Sequence, residues 1–334
     1  MRHLTSRRFV TVLVVLLAAV LLTTVLAALL GPVQVILRRA FDASALENID
    51  RTILLHTRMP RILLGLVVGG GLAAAGAALQ ALLRNPLAEP HILGVSGGAA
   101  LGSVVTIILA GRGPLSAMAQ PFGAFLGALL ATAVIYRLAL IHGRLQPYTL
   151  LLAGVVYNAI AGALILFVNS LADAYQAQGI IFWLMGNLAT QSYAVVGVIA
   201  AYTAAGLLLL GTQARRLNLL SLGDDDAWHL GVDVERTRRI TFVAASFLVG
   251  AVVSVSGMIG FVGLIVPHAM RLLIGSDNRL LLPASFLAGG IFLVWADTLA
   301  RTLLGPTELP VGVITAMCGG PFFIYLLRRQ RRSG

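Results

Sequence analysis

The sequence contains no lysine, so all 24 basic residues are arginine. Without Lys there is no Gly-Lys-Ser/Thr loop to hold nucleotide β- and γ-phosphates, and no amine for Schiff-base chemistry. Cysteine is almost absent as well. Cys318 stands alone, which excludes an internal disulfide and a cysteine metal site. It reads as a small apolar core residue. No array of His, Met or Cys marks a route for a bare metal ion. Charge is scarce, at 11% of residues, where soluble domains carry roughly 25%.

What fills the chain instead is apolar: 58% hydrophobic residues and a mean hydropathy of +0.93. That composition is solvated by lipid, so the 334 residues are counted in spans rather than in soluble domains. The reading is an all-α integral membrane protein, one transmembrane domain over 1–334. Ten apolar segments emerge, at 9–30, 60–82, 92–110, 115–138, 149–171, 193–211, 239–256, 259–274, 281–300 and 311–327. The first follows arginines like a signal sequence, but it lacks a small-residue cleavage site and is long enough to span. The eighth is short and reads as broken by Pro267.

The formal charge of +11 would point to nucleic acid in a soluble protein. Here the arginines cluster at the ends of apolar runs, which is the positive-inside pattern and gives no nucleic-acid partner. Ten spans with both termini cytoplasmic put 17 arginines inside and leave seven outside: Arg38, Arg39, Arg51, Arg58, Arg61, Arg112 and Arg301. The outside group reads either as a solvated loop or as a docking surface for an acidic partner. The longest inside loop, "ARRLNLLSLGDDDAWHLGVDVERTRR" (214–239), mixes leucines and Trp228 with Asp224, Asp225 and Asp226, and Gly223 and Gly231 punctuate two short helical stretches. Its apolar side chains are costly in water, so they lie on the bilayer or enter a partner's groove.

Residues 84–98, "RNPLAEPHILGVSGG", interrupt this apolar chain. Pro86 and Pro90 end the second helix, and Asn85 can satisfy backbone groups freed by the break. Glu89 and His91 read as solvated at a helix boundary. Asp297 can pair with Arg301 one turn later. "LAAAGAALQALLRNPLAEPHILG" and "GAVVSVSGMIGFVGLIVPHAMRLLIG" echo each other weakly. With their breaks on opposite faces, they would form an inverted repeat. Gly94-Val95-Ser96-Gly97-Gly98 matches the hydrolase elbow G-x-S-x-G and resembles the G-x-S-G of rhomboid proteases. No histidine sits in a rhomboid pattern, however, and small residues here serve close packing. An ATP-independent secondary transporter would need coupling carboxylates in mid-helix, and none is central.

The stretch "RMPRILLGLVVGGGLAAAGAALQALLRNPLAEPHILGVSGGAALG" (58–102) resembles the permease subunits of type II ABC importers, the vitamin B12, iron–siderophore and haem family. The likeness continues in order through "LLLAGV", "FWLMGNL", "LSLGDDDAWHLGVDVERTRR", "GMIGFVGLIVPHAMRLLIGSDNRLLLP" and "ADTLARTLLGPTELPVGVITAMCGGPFF". It implies a ten-helix permease fold with inverted-repeat-like halves, in the bacterial inner membrane and paired with a second copy. Two ATPase subunits, which hold the ATP and Mg, would bind below, and a substrate-binding protein above. The chain itself would bind no cofactor and no metal and would catalyse no chemistry on its cargo. By the same likeness Arg58, Arg61 and Arg301 would receive carboxylates of the binding protein. Asn85, Pro86, Leu87 and Ala88 would form the cytoplasmic gate. Leu222, Gly223, Asp224, Asp225, Asp226, Trp228, Leu230 and Gly231 would dock the ATPase. Pro147 and Tyr148 stand where the B12 importers carry two small hydroxyl residues at a second gate, and a bulkier ring there would close the path differently.

Overall fold

The computed structural model describes residues 5–33, 49–110, 114–188, 192–304 and 308–330. Arg38, Arg39 and Arg112 of the outside group lie beyond these. Twelve helices follow one another among the described residues. They are α1 (Ser6–Leu29), α2 (Ile49–Leu82), α3 (Val95–Ala110), α4 (Pro114–Ala139), α5 (Pro147–Ser170) and α6 (Ala174–Leu184), then α7 (Tyr193–Leu220), α8 (Asp224–His229), α9 (Val234–Ser256), α10 (Val262–Ile274), α11 (Asn278–Thr302) and α12 (Val311–Gln330). Between α4 and α5 a minimal hairpin pairs β1 (Leu140–Ile141) with β2 (Arg144–Leu145). His142 and Gly143 turn it with φ of 51° and 77°, the left-handed pair that a tight hairpin requires.

Each of the ten apolar segments falls on a helix. Seven of the helices are long and apolar enough to cross a membrane; α3, α10 and the apolar part of α12 are shorter. Helix starts follow ordinary capping chemistry. Ser192, Asp233 and Asp277 accept from backbone N–H groups at the starts of α7, α9 and α11, and Asp173 with Gln176 forms a capping box for α6.

α2 is the hub. Its apolar window is 83% buried, whereas that of α1 at the periphery is 17% buried. The Gly- and Ala-rich face explains how: where lipid offers no hydrophobic drive between helices, close backbone approach supplies the packing. A Cβ on Gly76 would come within 1.9 Å of the Gly263 carbonyl of α10, and one on Gly69 within 2.2 Å of the Gly289 carbonyl of α11. α3 and α4 meet in the same way through Gly98 and Gly127. This close packing is the role of the glycines in "GVSGG".

Four expectations need correction. Cys318 is exposed on α12 and not a core residue. Pro267 does not break α10, which runs through it; the interruption is at 257–261, where Gly257 and Phe261 take φ of 67° and 68°. Proline six residues into a short helix forfeits one backbone bond without ending the helix. The inside loop is shorter than 214–239, because α7 continues to Leu220 and α9 begins at Val234. Charged residues can extend a helix beyond the apolar length that betrays it in sequence. Finally, the two echoing breaks do not lie on opposite faces. They touch, Phe261 N–H donating to Glu89 Oε1 and Gly263 packing on Pro90. α10 has only 13 residues, about 20 Å of helix, so its start lies partway across the bundle, and the chain after Arg84 turns back to meet it.

Candidate functional sites

At the start of the final 24 residues of α2 and the end of α11 the structure gathers Arg58, Arg61 and Arg301, all buried at 3–7% exposure. Arg61 forks onto Asp297, Nη2 to Oδ1 at 2.8 Å and Nε to Oδ2 at 3.0 Å, and sends Nη1 to Glu308 Oε2 at 2.8 Å. Arg301 Nε lies 3.0 Å from Asp297 Oδ2, the pairing one turn apart that the spacing predicts. Arg58 Nη1 donates to Ala28 O (2.6 Å) and Leu29 O (3.2 Å), and Nη2 donates to Val33 O. Those carbonyls belong to the C-terminal end of α1 and the turn after it, where free acceptors and the helix dipole favour a cation. The three arginines are therefore engaged within the chain. Glu308, half-exposed, is the outermost member of the cluster.

At the other end of α2, about 36 Å along its final 24 residues, lies the break. Arg84 has φ of 50°, and Asn85 Oδ1 accepts from Leu87 N–H at 2.9 Å while Asn85 O accepts from Ala88 N–H at 3.1 Å. Asn85 thus closes the NPLA turn as its residue type allows. α5 packs along the continuation: Asn158 Nδ2 donates to His91 O at 2.9 Å, and Gly154 lies against Ile92 and Leu93. Glu89 is buried and its carboxyl is engaged by Phe261, so it is not solvated as its position at a helix boundary implied. Ser96 is buried at the start of α3, and among the described residues no histidine pairs with it.

Pro147 and Tyr148 begin α5, with Tyr148 78% exposed. The hairpin ahead of them is tied to α9: Leu145 N–H donates to Glu235 Oε2 at 2.8 Å, and Leu145 O lies 3.5 Å from Arg238 Nη1.

The eight residues from Leu222 to Gly231 singled out in the sequence divide into two groups. Gly223 (φ 135°) and Gly231 (φ 82°) bracket α8 in backbone that favours glycine, and Ala227 and Val232 anchor it in the core. Leu222, Trp228 and Leu230 project outward at 52%, 68% and 57% exposure. Asp225 and Asp226 are exposed beside them. Asp224, part-exposed, faces two arginines instead. Its carboxylate takes Arg238 Nη2 at 2.8 and 2.7 Å and Arg84 Nη2 at 3.0 Å. Because Arg238 is buried on α9 and Arg84 adjoins the NPLA turn, one carboxylate joins α8, α9 and the break. A cleft of about 610 Å³ opens beside it, lined by Arg144, Gln146, Asp224, Trp228 and Glu235. Asp224 carries no signal in sequence that separates it from Asp225 and Asp226. The pairing joins residues 140 positions apart.

Comparison with known proteins agrees with this architecture. The model of the FecCD transport family matches residues 12–329. The chain is 43% identical over 285 residues to the hemin transport system permease protein HmuU of Yersinia pestis, covering 84% of this chain and 85% of that one. It is 48% identical over 273 residues to the cobalamin import system permease protein BtuC of Halobacterium salinarum, covering 81% and 72%. Among solved structures, a metal-chelate type ABC transporter in an inward-facing conformation superposes with a TM-score of 0.82 at 29% identity, covering 96% of this chain and 99% of that one.

Proposed function

From the membership of this chain in the FecCD transport family, as a multi-pass permease subunit of an ABC importer, we propose that it carries a large metal chelate (ferric siderophore, haem or cobalamin) across the bacterial cytoplasmic membrane. Two copies would surround the path, with both termini cytoplasmic. Two separate ATPase chains would supply the energy, since this chain has no lysine for a P-loop. A binding protein would deliver cargo at the opposite end.

One observation supports the mechanism above others: Asp224 links the exposed apolar surface of α8 to the NPLA turn through Arg84 and to α9 through Arg238. An ATPase seated on Leu222, Trp228 and Leu230 would move α8. The ion pairs would pass that movement to residues 85–88 and, through the hairpin, to Pro147 and Tyr148. Access would alternate between the two sides with no covalent step. At the other end, a carboxylate from the binding protein would exchange with Glu308 on Arg61, because Glu308 is the solvent-accessible partner.

The test is uptake by a strain deleted for this gene, with labelled cobalamin, a ferric siderophore and haem supplied separately. Loss of uptake of one cargo, restored with the gene, is the expected result and names the chelate. Unchanged uptake of all three would remove this cargo class.

A further inference from the structure

Two cavities follow one another on the flank formed by α1, α7 and α11. The first, about 430 Å³, is lined by Phe9, Leu207, Arg215, Arg279 and Leu282. The second, about 340 Å³, is wholly apolar, with Val20, Val196, Ala200 and Phe286 around it and Leu66 of α2 behind. Along α11 the apolar cavity begins at Phe286, about 10 Å beyond Arg279, and ends near Gly290, about 16 Å beyond it. Along α1 the two are separated by the 11 positions from Phe9 to Val20, again about 16 Å. The flank is therefore a furrow, cationic at one end and greasy over a length that suits an acyl chain.

The charge at the cationic end is not balanced. Arg279 is held by Asp277 (Nη2 to Oδ2, 2.5 Å). Arg8 also reaches this corner, donating to Ile274 O at 2.8 Å. Arg215 is exposed, and among the described residues no carboxylate pairs with it. Its guanidinium fork matches the oxygens of a phosphate, and it stands where the apolar length of α7 ends, at the level of a lipid headgroup.

We propose that this furrow is a binding site for one anionic glycerophospholipid. Arg215 and Arg279 hold the phosphate, and an acyl chain runs past Phe9 and Leu282 into the apolar cavity beside Ala200 and Phe286. The lipid fills a crevice that α1 alone leaves open, and so joins this peripheral helix to α7 and α11. The site is independent of the cargo and of the ATP-driven cycle.

The experiment is native mass spectrometry of the purified full-length protein titrated with phosphatidylglycerol and with phosphatidylcholine of the same acyl chains, in the presence and absence of inorganic phosphate. Wild-type protein should retain one phosphatidylglycerol in preference to phosphatidylcholine. Arg215→Gln should weaken that binding about fivefold, the effect of one arginine near a lipid surface. Gly197→Leu tests the other end. Gly197 lines the apolar cavity and a Cβ there meets nothing within 4 Å, so the larger side chain enters the furrow without disturbing the backbone. It should lower lipid retention while leaving the melting temperature of delipidated protein unchanged. Equal binding of the two lipids, or wild-type retention in both variants, would overturn the proposal. Displacement of the lipid by millimolar phosphate would also overturn it, because the site would then be one for a free anion.

Discussion

Arg61 and Asp297 show what a single residue contributes when it is buried among charges. Both are almost fully buried, and two guanidiniums share the one carboxylate. Removing one partner leaves the others uncompensated, which for a buried pair costs about 3–5 kcal/mol. Asp297→Ala should therefore lower the melting temperature of the solubilised protein far more than Glu308→Ala, whose carboxylate is half-exposed. Thermal unfolding of both variants checks the order. At the other end Asp277 is held down to about 2, chiefly by Arg279 and then by Asn218, against a burial cost that acts the other way. A depressed carboxylate stabilises the fold above its unfolded pKa near 4 and loses that contribution as pH falls through about 2. The difference in melting temperature between wild type and Asp277→Asn should thus stay constant from pH 7 to about 5 and shrink below about 4. The pairing of Asp297 with Arg301 was legible in sequence because four positions make one helical turn. The pairing of Asp297 with Arg61 was not, because nothing local relates residues 236 positions apart.

Among the elements, hydropathy located every long helix and misplaced several ends. α7 and α9 extend past their apolar runs because arginines and aspartates are good neighbours at a helix terminus, and the membrane signal stops where the charges begin. α8 was legible as a glycine-punctuated helical stretch, yet the pairing of its first residue with Arg84 and Arg238 required the fold. The break at 84–94 was visible from its prolines. Its return toward α10 was not, since Phe261 is an unusual residue for left-handed backbone and signals nothing on its own. Glycine contacts offer the clearest test at this scale. Gly76→Ala places a methyl group against the Gly263 backbone and should destabilise the protein by about 1–3 kcal/mol, as overpacking does. Gly211→Ala, where a Cβ meets nothing within 4 Å, should be neutral or slightly stabilising, since alanine favours the helix. Equal melting temperatures for the two variants would show that α2 and α10 separate more readily than their backbone contact implies.

For the whole molecule the decisive feature is the division of labour around α8. On the proposed reading the apolar face would meet the ATPase, while Asp224 ties that face to the break in the bundle. Trp228→Ala should reduce copurification of the ATPase and leave membrane insertion intact. Asp224→Asn should do the reverse, keeping the docking surface while weakening the link to Arg84 and Arg238. The deciding measurement is cargo transported per ATP hydrolysed, in liposomes holding the permease with its ATPase and binding protein. Loss of a pairing whose carboxylate is part-exposed, worth about 1 kcal/mol, corresponds to about fivefold. Asp224→Asn should lower the transport-to-hydrolysis ratio by that factor, with the ATPase still bound. A ratio equal to wild type would contradict it and would place the route from ATPase to gate elsewhere in the bundle.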